Sequence, residues 1–214
     1  MKELFFVDVF LKGGPVMIPI VLCSIVAVAV FLERFRFHQR NSNNPELFMK
    51  AVKAALSRRD YADAMKVCRK EHTPIAHVIA AGLDHLDQPR ETLLEIMRQE
   101  ALRQMKRVES KISILATISS ISPLLGLTGT VTGMISSFHI ISTVGVGDPT
   151  ALAGGISEAL YTTAAGLFVG IPSLVAYNWC ESKVLDFNEQ VEYCSLDLVN
   201  YMNGTEVACE KVAA

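Results

Sequence analysis

One carboxylate stands apart from its surroundings. From Pro149 to Cys180 the only Asp, Glu, Lys or Arg is Glu158. A charged side chain at mid-bilayer costs about 2.5–3.5 kcal/mol on insertion scales. It is tolerated where it faces a bundle interior or a water-filled path. Two functional roles fit such a group: a carboxyl on a proton path, or one that sets the field in a pore. A structural role fits as well, with the carboxyl capping a neighbouring helix or bonding a hydroxyl. Counted from Pro149, Glu158 lies about 13 Å along a helix at 1.5 Å per residue.

Around it the apolar stretches are dense in hydroxyls. Ser113, Thr117, Ser119, Ser120, Ser122, Thr128, Thr130, Thr132, Ser136 and Ser137 fall in one, and Ser157, Thr162, Thr163 and Ser173 in the next. Such side chains serve interhelical hydrogen bonds or a polar lumen. Gly129/Gly133 and Gly166/Gly170 both carry the GxxxG spacing that lets helix backbones approach closely. Gly126, Pro123 and Pro172 belong with the same packing set. Close packing and pore lining are both open, and one pair of helices can do both. With a chain reversal near residue 145, Thr130, Glu158, Thr162 and Thr163 fall at one level. Thr162 shares the face of Glu158 at i+4, whereas Thr163 lies about 140° away.

Other chemistries are missing from the pattern. Cys23, Cys68, Cys180, Cys194 and Cys209 show no metal-ligand spacing and read as free thiols in a reducing compartment. His38, His72, His77 and His85 are scattered, and His139 sits near the end of an apolar stretch. There is no nucleophile–base constellation, zinc motif or phosphate loop. The expectation is a non-enzyme with no catalytic residues, metal or cofactor. Basic residues interleave with acids, as in Arg98-Gln99-Glu100, so they read as a solvated face and not as a nucleic-acid patch.

The elements that must position Glu158 follow from the charge map. Gly13 to Leu32 and Ile112 to Gly147 contain no Asp, Glu, Lys or Arg. With the Glu158 stretch, that makes three windows long enough to cross a hydrocarbon core, which needs about 20 apolar residues. The fold class expected is an all-α membrane protein with three transmembrane helices surrounded by membrane lipids. Of the 20 Lys and Arg, 16 lie between Arg34 and Lys111. Cytoplasmic loops carry that excess. The expected order is therefore an outer amphipathic segment, 1–12; a first span, 13–33; a cytoplasmic helical domain, 34–111; a second span, 112–141; an outer loop, 142–149; a third span, 150–180; and a cytoplasmic C-terminal helix and tail, 181–214. The first apolar run exceeds a signal-peptide core of roughly 7–15 residues and ends in Glu33-Arg34, so it reads as a retained anchor.

Within 34–111, Asn44-Pro45 starts a helix over 45–57, Asp60 opens one over 60–70, and Thr73-Pro74 opens one to about Leu86. A long helix is expected from residue 90, unbroken to about 141. Its apolar stripe is Leu94, Met97, Ala101, Met105, Val108, Ile112 and Leu115. The third span continues into a second stripe, Val184, Phe187, Val191, Cys194 and Leu198, and stops at Asn203-Gly204. No internal repeat is visible.

Two segments resemble a known family. Ser122-Pro-Leu-Leu-Gly-Leu-Thr-Gly-Thr-Val-Thr-Gly-Met134 closely resembles the second-span motif of the ExbB/TolQ/MotA family. Gly155 to Ser173, followed by Tyr177-Asn178, resembles its third. Three spans with a short tail are more similar to ExbB and TolQ than to four-span MotA. The resemblance implies a proton-channel and motor subunit of a bacterial inner membrane. It implies a homopentamer whose second and third spans line a lumen, and a dimeric one-span ExbD/TolR-like partner inside it that brings the membrane aspartate. It further implies proton-motive force coupled through a TonB-like protein to transport across the outer membrane, or a TolQ-like role in envelope integrity. Thr130 and Thr163 match the family's lumen threonines and Glu158 its membrane glutamate. Thr162 and Thr128 join that lumen set, although Thr128 stands where relatives often carry a bulky apolar residue. A non-conducting membrane scaffold is the competing reading of the same residues.

Overall fold

The computed structural model describes residues 13–41, 44–58, 60–144, 149–202 and 204; the side chains of 144–152 are not part of that description. The expected segment 1–12, residues 145–148 of the loop 142–149 and the tail beyond Gly204 lie outside it. The described residues form α-helices and no strands. The helices are α1 (Met17–Asn41), α2 (Pro45–Ser57), α3 (Tyr61–Glu71), α4 (Pro74–Leu83), α5 (Arg90–Val108), α6 (Ile112–Val144) and α7 (Pro149–Met202). Three of them, α1, α6 and α7, are long and apolar enough to cross a membrane. The chain is an all-α membrane protein.

Contacts divide the chain into two compact units. One draws on Met1–Phe35 and Lys111–Cys180, the other on Arg36–Ser110 and Glu181–Ala214.

In the second unit the helix starts follow local chemistry. Asn44 Oδ1 accepts the N–H groups of Glu46 and Leu47, Asp60 accepts that of Asp63, and Thr73 Oγ1 accepts that of Ala76. Each satisfies a donor that the first turn leaves without a helical partner. The core collects Val52, Ala64, Cys68, Val78, Ile79, Met97, Cys194, Leu198 and Val199. Val184, Phe187 and Val191 complete a buried stripe along the end of α7. Gly82 lies against Met97 and Leu198, which leave no room there for a side chain. Lys53 Nζ reaches Asp197 Oδ1 at 2.6 Å, and Tyr201 donates to the Lys53 carbonyl.

Three expectations about helix bounds need correction. The helix opened by Pro74 ends at Leu83, where Asp84 caps it, and not at Leu86. The first-span helix continues past residue 33 to Asn41. The helix expected to run unbroken from 90 to 141 is interrupted: α5 stops at Val108 and α6 starts at Ile112. Lys111 between them has φ +65°, in the left-handed region, which a right-handed helix cannot pass through. That conformation costs about 1–2 kcal/mol for a residue with a Cβ. Lys111 Nζ meets both carboxylate oxygens of Glu33 at 2.6 and 2.7 Å, which offsets part of it. No glycine or proline marks this break, so the sequence carries no conventional signal for it.

In the first unit α6 and α7 lie backbone to backbone. Gly126 faces the Thr162 carbonyl and the Thr163 Cα, Gly129 faces the Thr162 side chain, and Gly133 faces the Gly155 carbonyl and Ala159. From the other side, Gly155 faces Ser137, Gly166 faces Ser122 and Gly126, and Gly170 faces the Pro123 ring. A Cβ at Gly133 would sit 2.7 Å from the Gly155 oxygen, and one at Gly170 would sit 2.8 Å from Pro123 Cγ. Pro123 also lacks the N–H that would reach the Ser119 carbonyl, and that carbonyl borders Gly170 as well. The kink-prone proline is thus packed where the partner helix has no side chain. Pro172 is exposed.

Two measurements test this packing. Gly129→Leu should prevent the close approach, at a cost at or above the roughly 1–3 kcal/mol of ordinary overpacking; thermal melting in detergent should fall, while Leu127→Ala, at an exposed position of the same helix, should leave it nearly unchanged. In the second unit, burial pushes the Cys68 and Cys194 thiols up to about 12 from an ordinary value near 9, with Asp84 and Asp197 respectively adding to the shift. The folded chain therefore holds protons that the unfolded chain releases. That stabilisation is complete below pH 9 and is lost as pH rises from 9 to 12. Both thiols should resist alkylation at pH 8 until denaturant is added.

Candidate functional site

The glycine seam fixes where each candidate side chain lies. Gly129 opposes Thr162 and Gly133 opposes Ala159, so Thr130 and the stretch from Glu158 to Thr163 share a level of the hairpin. Around the helices they separate.

Thr162 is completely buried against Gly129. Its hydroxyl donates to the carbonyls of Glu158 and Ala159, in its own helix. It is a packing residue of the seam in this chain. Thr163 lies at the edge of the seam, half-buried, and donates across it to the Gly126 carbonyl at 3.1 Å. Thr130 is also half-buried and donates to the Leu127 carbonyl at 2.6 Å. Thr128 is exposed and donates to the Leu124 carbonyl.

The first span marks which side of the hairpin is which. At the Trp179 level α1 meets α7 directly: the Trp179 ring centroid lies 6.0 Å from Phe31 and 5.4 Å from Phe35. Farther along, α1 and α6 border a groove lined by Leu22, Cys23, Val26, Ser113, Ile114 and Thr117. At about 100° per residue, Thr163 lies about 160° around α7 from Trp179. Thr130 lies between about 100° and 160° around α6 from the groove residues Ser113, Ile114 and Thr117 by the same count. Both threonines thus sit on the side of the hairpin turned away from the first span.

Glu158 is on the other side. It lies only about 60° from Trp179 around α7. Its carboxyl occupies the space beside Gly14, just ahead of α1, where a Cβ would collide with Oε1 and Cδ. Gly14 has φ +64°, a conformation that favours glycine. The sequence placed Gly14 in a span entry but offered no link to Glu158, because the contact joins residues far apart in the chain.

The hydroxyls correct a premise about polarity. Thr117, Ser119, Ser120, Thr128, Thr130, Thr132, Ser137, Thr162 and Ser173 each donate to a carbonyl three or four residues earlier in their own helix. A hydroxyl satisfied this way needs neither a partner helix nor water, so hydroxyl density alone does not require a pore. Direction around the helix carries the information instead. Ser122 differs: it is fully buried at the seam and its Oγ has no hydrogen-bond partner.

Other candidates are quickly placed. His139 is exposed near the end of α6. Among the described residues no group of three or more His, Cys, Asp or Glu side chains is arranged to hold a metal ion. The Glu33–Lys111 pair ties the end of the first span to the start of the second, with both side chains nearly half exposed. Glu33 was legible as the end of a span, but its pairing with Lys111 was not.

Comparison with known proteins agrees with this architecture. Residues 70–193 match the model of the MotA/TolQ/ExbB proton channel family. The chain is 36% identical to a putative biopolymer transport protein ExbB-like 1 of Synechocystis sp., over 79% of this chain and 68% of that protein. It is 30% identical to the biopolymer transport protein ExbB of Neisseria gonorrhoeae, over 89% of this chain and 93% of the relative. It is 28% identical to the Tol-Pal system protein TolQ of Haemophilus influenzae, over 82% and 84% respectively. Three apolar spanning helices, a glycine-zipped hairpin and a family match across most of that hairpin lead to one conclusion: the chain belongs to the MotA/TolQ/ExbB proton channel family.

Proposed function

We propose that this chain is the channel and motor subunit of a bacterial inner-membrane complex that uses proton-motive force to drive transport across the outer membrane through a TonB-like protein. In this reading the N-terminus is periplasmic and the C-terminus cytoplasmic. Five copies surround a lumen that holds a dimer of a one-span ExbD/TolR-like partner. The observation that carries the reading is the placement of Thr130 and Thr163 on the hairpin side away from the first span. That side is not covered by the chain's own α1 and is available to other chains.

The physics is consistent. The seam between α6 and α7 is too tight to be a path, since its glycines leave no space for even one added carbon. A path must then run along a surface of the hairpin. One proton crossing about 100 mV releases about 2.3 kcal/mol, so several steps would supply enough to rearrange a partner. Thr130 and Thr163 already bond to carbonyls, so they offer a passing partner only weak, exchangeable contacts.

The TolQ-like reading, a subunit maintaining the envelope, is favoured by the Haemophilus relative, which matches over most of both chains. Which system is served is decided by deleting the gene. Loss of energised outer-membrane uptake supports the first reading; leakage of periplasmic contents with uptake intact supports the second.

Two substitution series test the mechanism. Thr130→Val and Thr163→Val should each reduce energised transport about tenfold or more while the complex still assembles. Full transport in both would remove the threonines from the path. Glu158→Ala should abolish proton flux in proteoliposomes holding the complex. If Glu158→Gln retains flux, the residue acts as a hydrogen-bonding group; if both variants conduct normally, it is structural and the scaffold reading gains.

A further inference from the structure

We propose that Gly14 is a positioning residue for Glu158: the space where its side chain would be is the space that holds the carboxyl. This rests on the reading of Glu158 as part of the proton path.

Three observations support it. A Cβ at Gly14 would overlap the Glu158 carboxyl, the free end of that side chain, so it is the carboxyl that would have to move. Gly14 adopts φ +64°, so its backbone turns in a way that a residue with a Cβ resists. The turn is anchored on its far side, where the Gly14 carbonyl accepts the N–H of Met17 and starts α1. Met17 and Ile20 in the first turns of α1 are almost fully buried, so the turn is held in place.

The charged groups that face this contact are few. Neither the described part of α1 up to Leu32 nor α6 carries an Asp, Glu, Lys or Arg, and α7 offers none besides Glu158 before Glu181. Among the described residues of these helices no counter-ion orients the carboxyl, and the space beside Gly14 is what receives it. A small residue at the entry of the first span therefore determines where the carboxyl of the third span sits. The rotation of α7 already puts Glu158 on the first-span side of the hairpin, away from Thr130 and Thr163. The carboxyl and the two threonines then meet different neighbours in the membrane, and a proton would meet them at separate places.

The test is a double-mutant cycle on the full-length chain co-purified with its one-span partner, read as proton flux in proteoliposomes and as yield of assembled complex. Gly14→Ala should cut flux at least about fivefold. Glu158→Asp shortens the side chain by one methylene and withdraws the carboxyl from the added carbon. The double variant should conduct more than Gly14→Ala alone, because shortening relieves the collision. Backbone strain at Gly14 is untouched by Glu158→Asp, so rescue isolates the contact from the strain. Pro15→Ala, at an exposed neighbour, should leave flux unchanged.

Effects of the two substitutions that simply multiply, or full flux in Gly14→Ala, overturn the proposal. If Gly14→Ala alone does not assemble, recovery of assembly in the double variant supports it, and failure of both while Glu158→Asp assembles overturns it. A normal flux in Glu158→Ala would instead defeat the underlying reading of the glutamate, which separates the two failures.

Discussion

The close approach of α6 and α7 is the constraint on which the rest depends. In lipid, two apolar helices gain little from burying leucines against each other, because acyl tails are as apolar as leucine. Association must come from contact made at short range. Here Gly126, Gly129 and Gly133 on one helix and Gly155, Gly166 and Gly170 on the other remove the side chains that would hold the backbones apart. What remains in the seam is small or shaped to it: Ala159, Thr162, Ser122 and the Pro123 ring. A rod built this way has a defined rotation about each helix axis. That rotation decides which residues face the first span and which face away.

From that one geometry the polar residues are sorted. Glu158 and Thr163 are five positions apart in sequence, about 7.5 Å along α7, yet they face opposite sides. Thr162 lies between them and is consumed by packing. The large exposed apolar side chains of the hairpin, among them Leu124, Leu127, Phe138, Leu160, Phe168 and Val175, are what lipid or other chains must cover. The hydroxyls scattered among them cost little in that setting, since each described bond to a carbonyl of the same helix satisfies the donor.

Much of the architecture was legible because charge is the strongest signal a membrane leaves in a sequence. Two uncharged stretches and a third interrupted only by Glu158 correspond to the three spanning helices, and Asn44, Asp60 and Thr73 marked helix starts because their side chains cap first turns. The stripe from Val184 to Leu198 was visible because its spacing follows the helical repeat. What could not be read depends on contacts across the chain. The break at Lys111 has no glycine or proline and is accompanied by a carboxylate 78 residues away. The contact of the Glu158 carboxyl with Gly14 joins residues far apart in the chain. The hydroxyls were ambiguous for a different reason: composition counts them, but only the fold shows that most close on their own helices while Thr163 bonds across the seam.

Under the proposed function, the same sorting lets one hairpin combine firmness with slip. A surface that a partner must move along should not offer unsatisfied donors, because each would bind and would have to be broken again. Thr130 and Thr163 have their hydroxyl protons committed to the Leu127 and Gly126 carbonyls, leaving oxygen lone pairs as weak acceptors. Their methyl groups share the same surface. Glu158, the one carboxylate between Pro149 and Cys180, is set apart on the opposite side beside the start of α1. In that reading Glu158 and the threonine face are separated mainly by rotation about the hairpin, with Thr163 also about 7.5 Å farther along α7. The glycine seam makes that separation possible, because it allows neither helix to turn without collision.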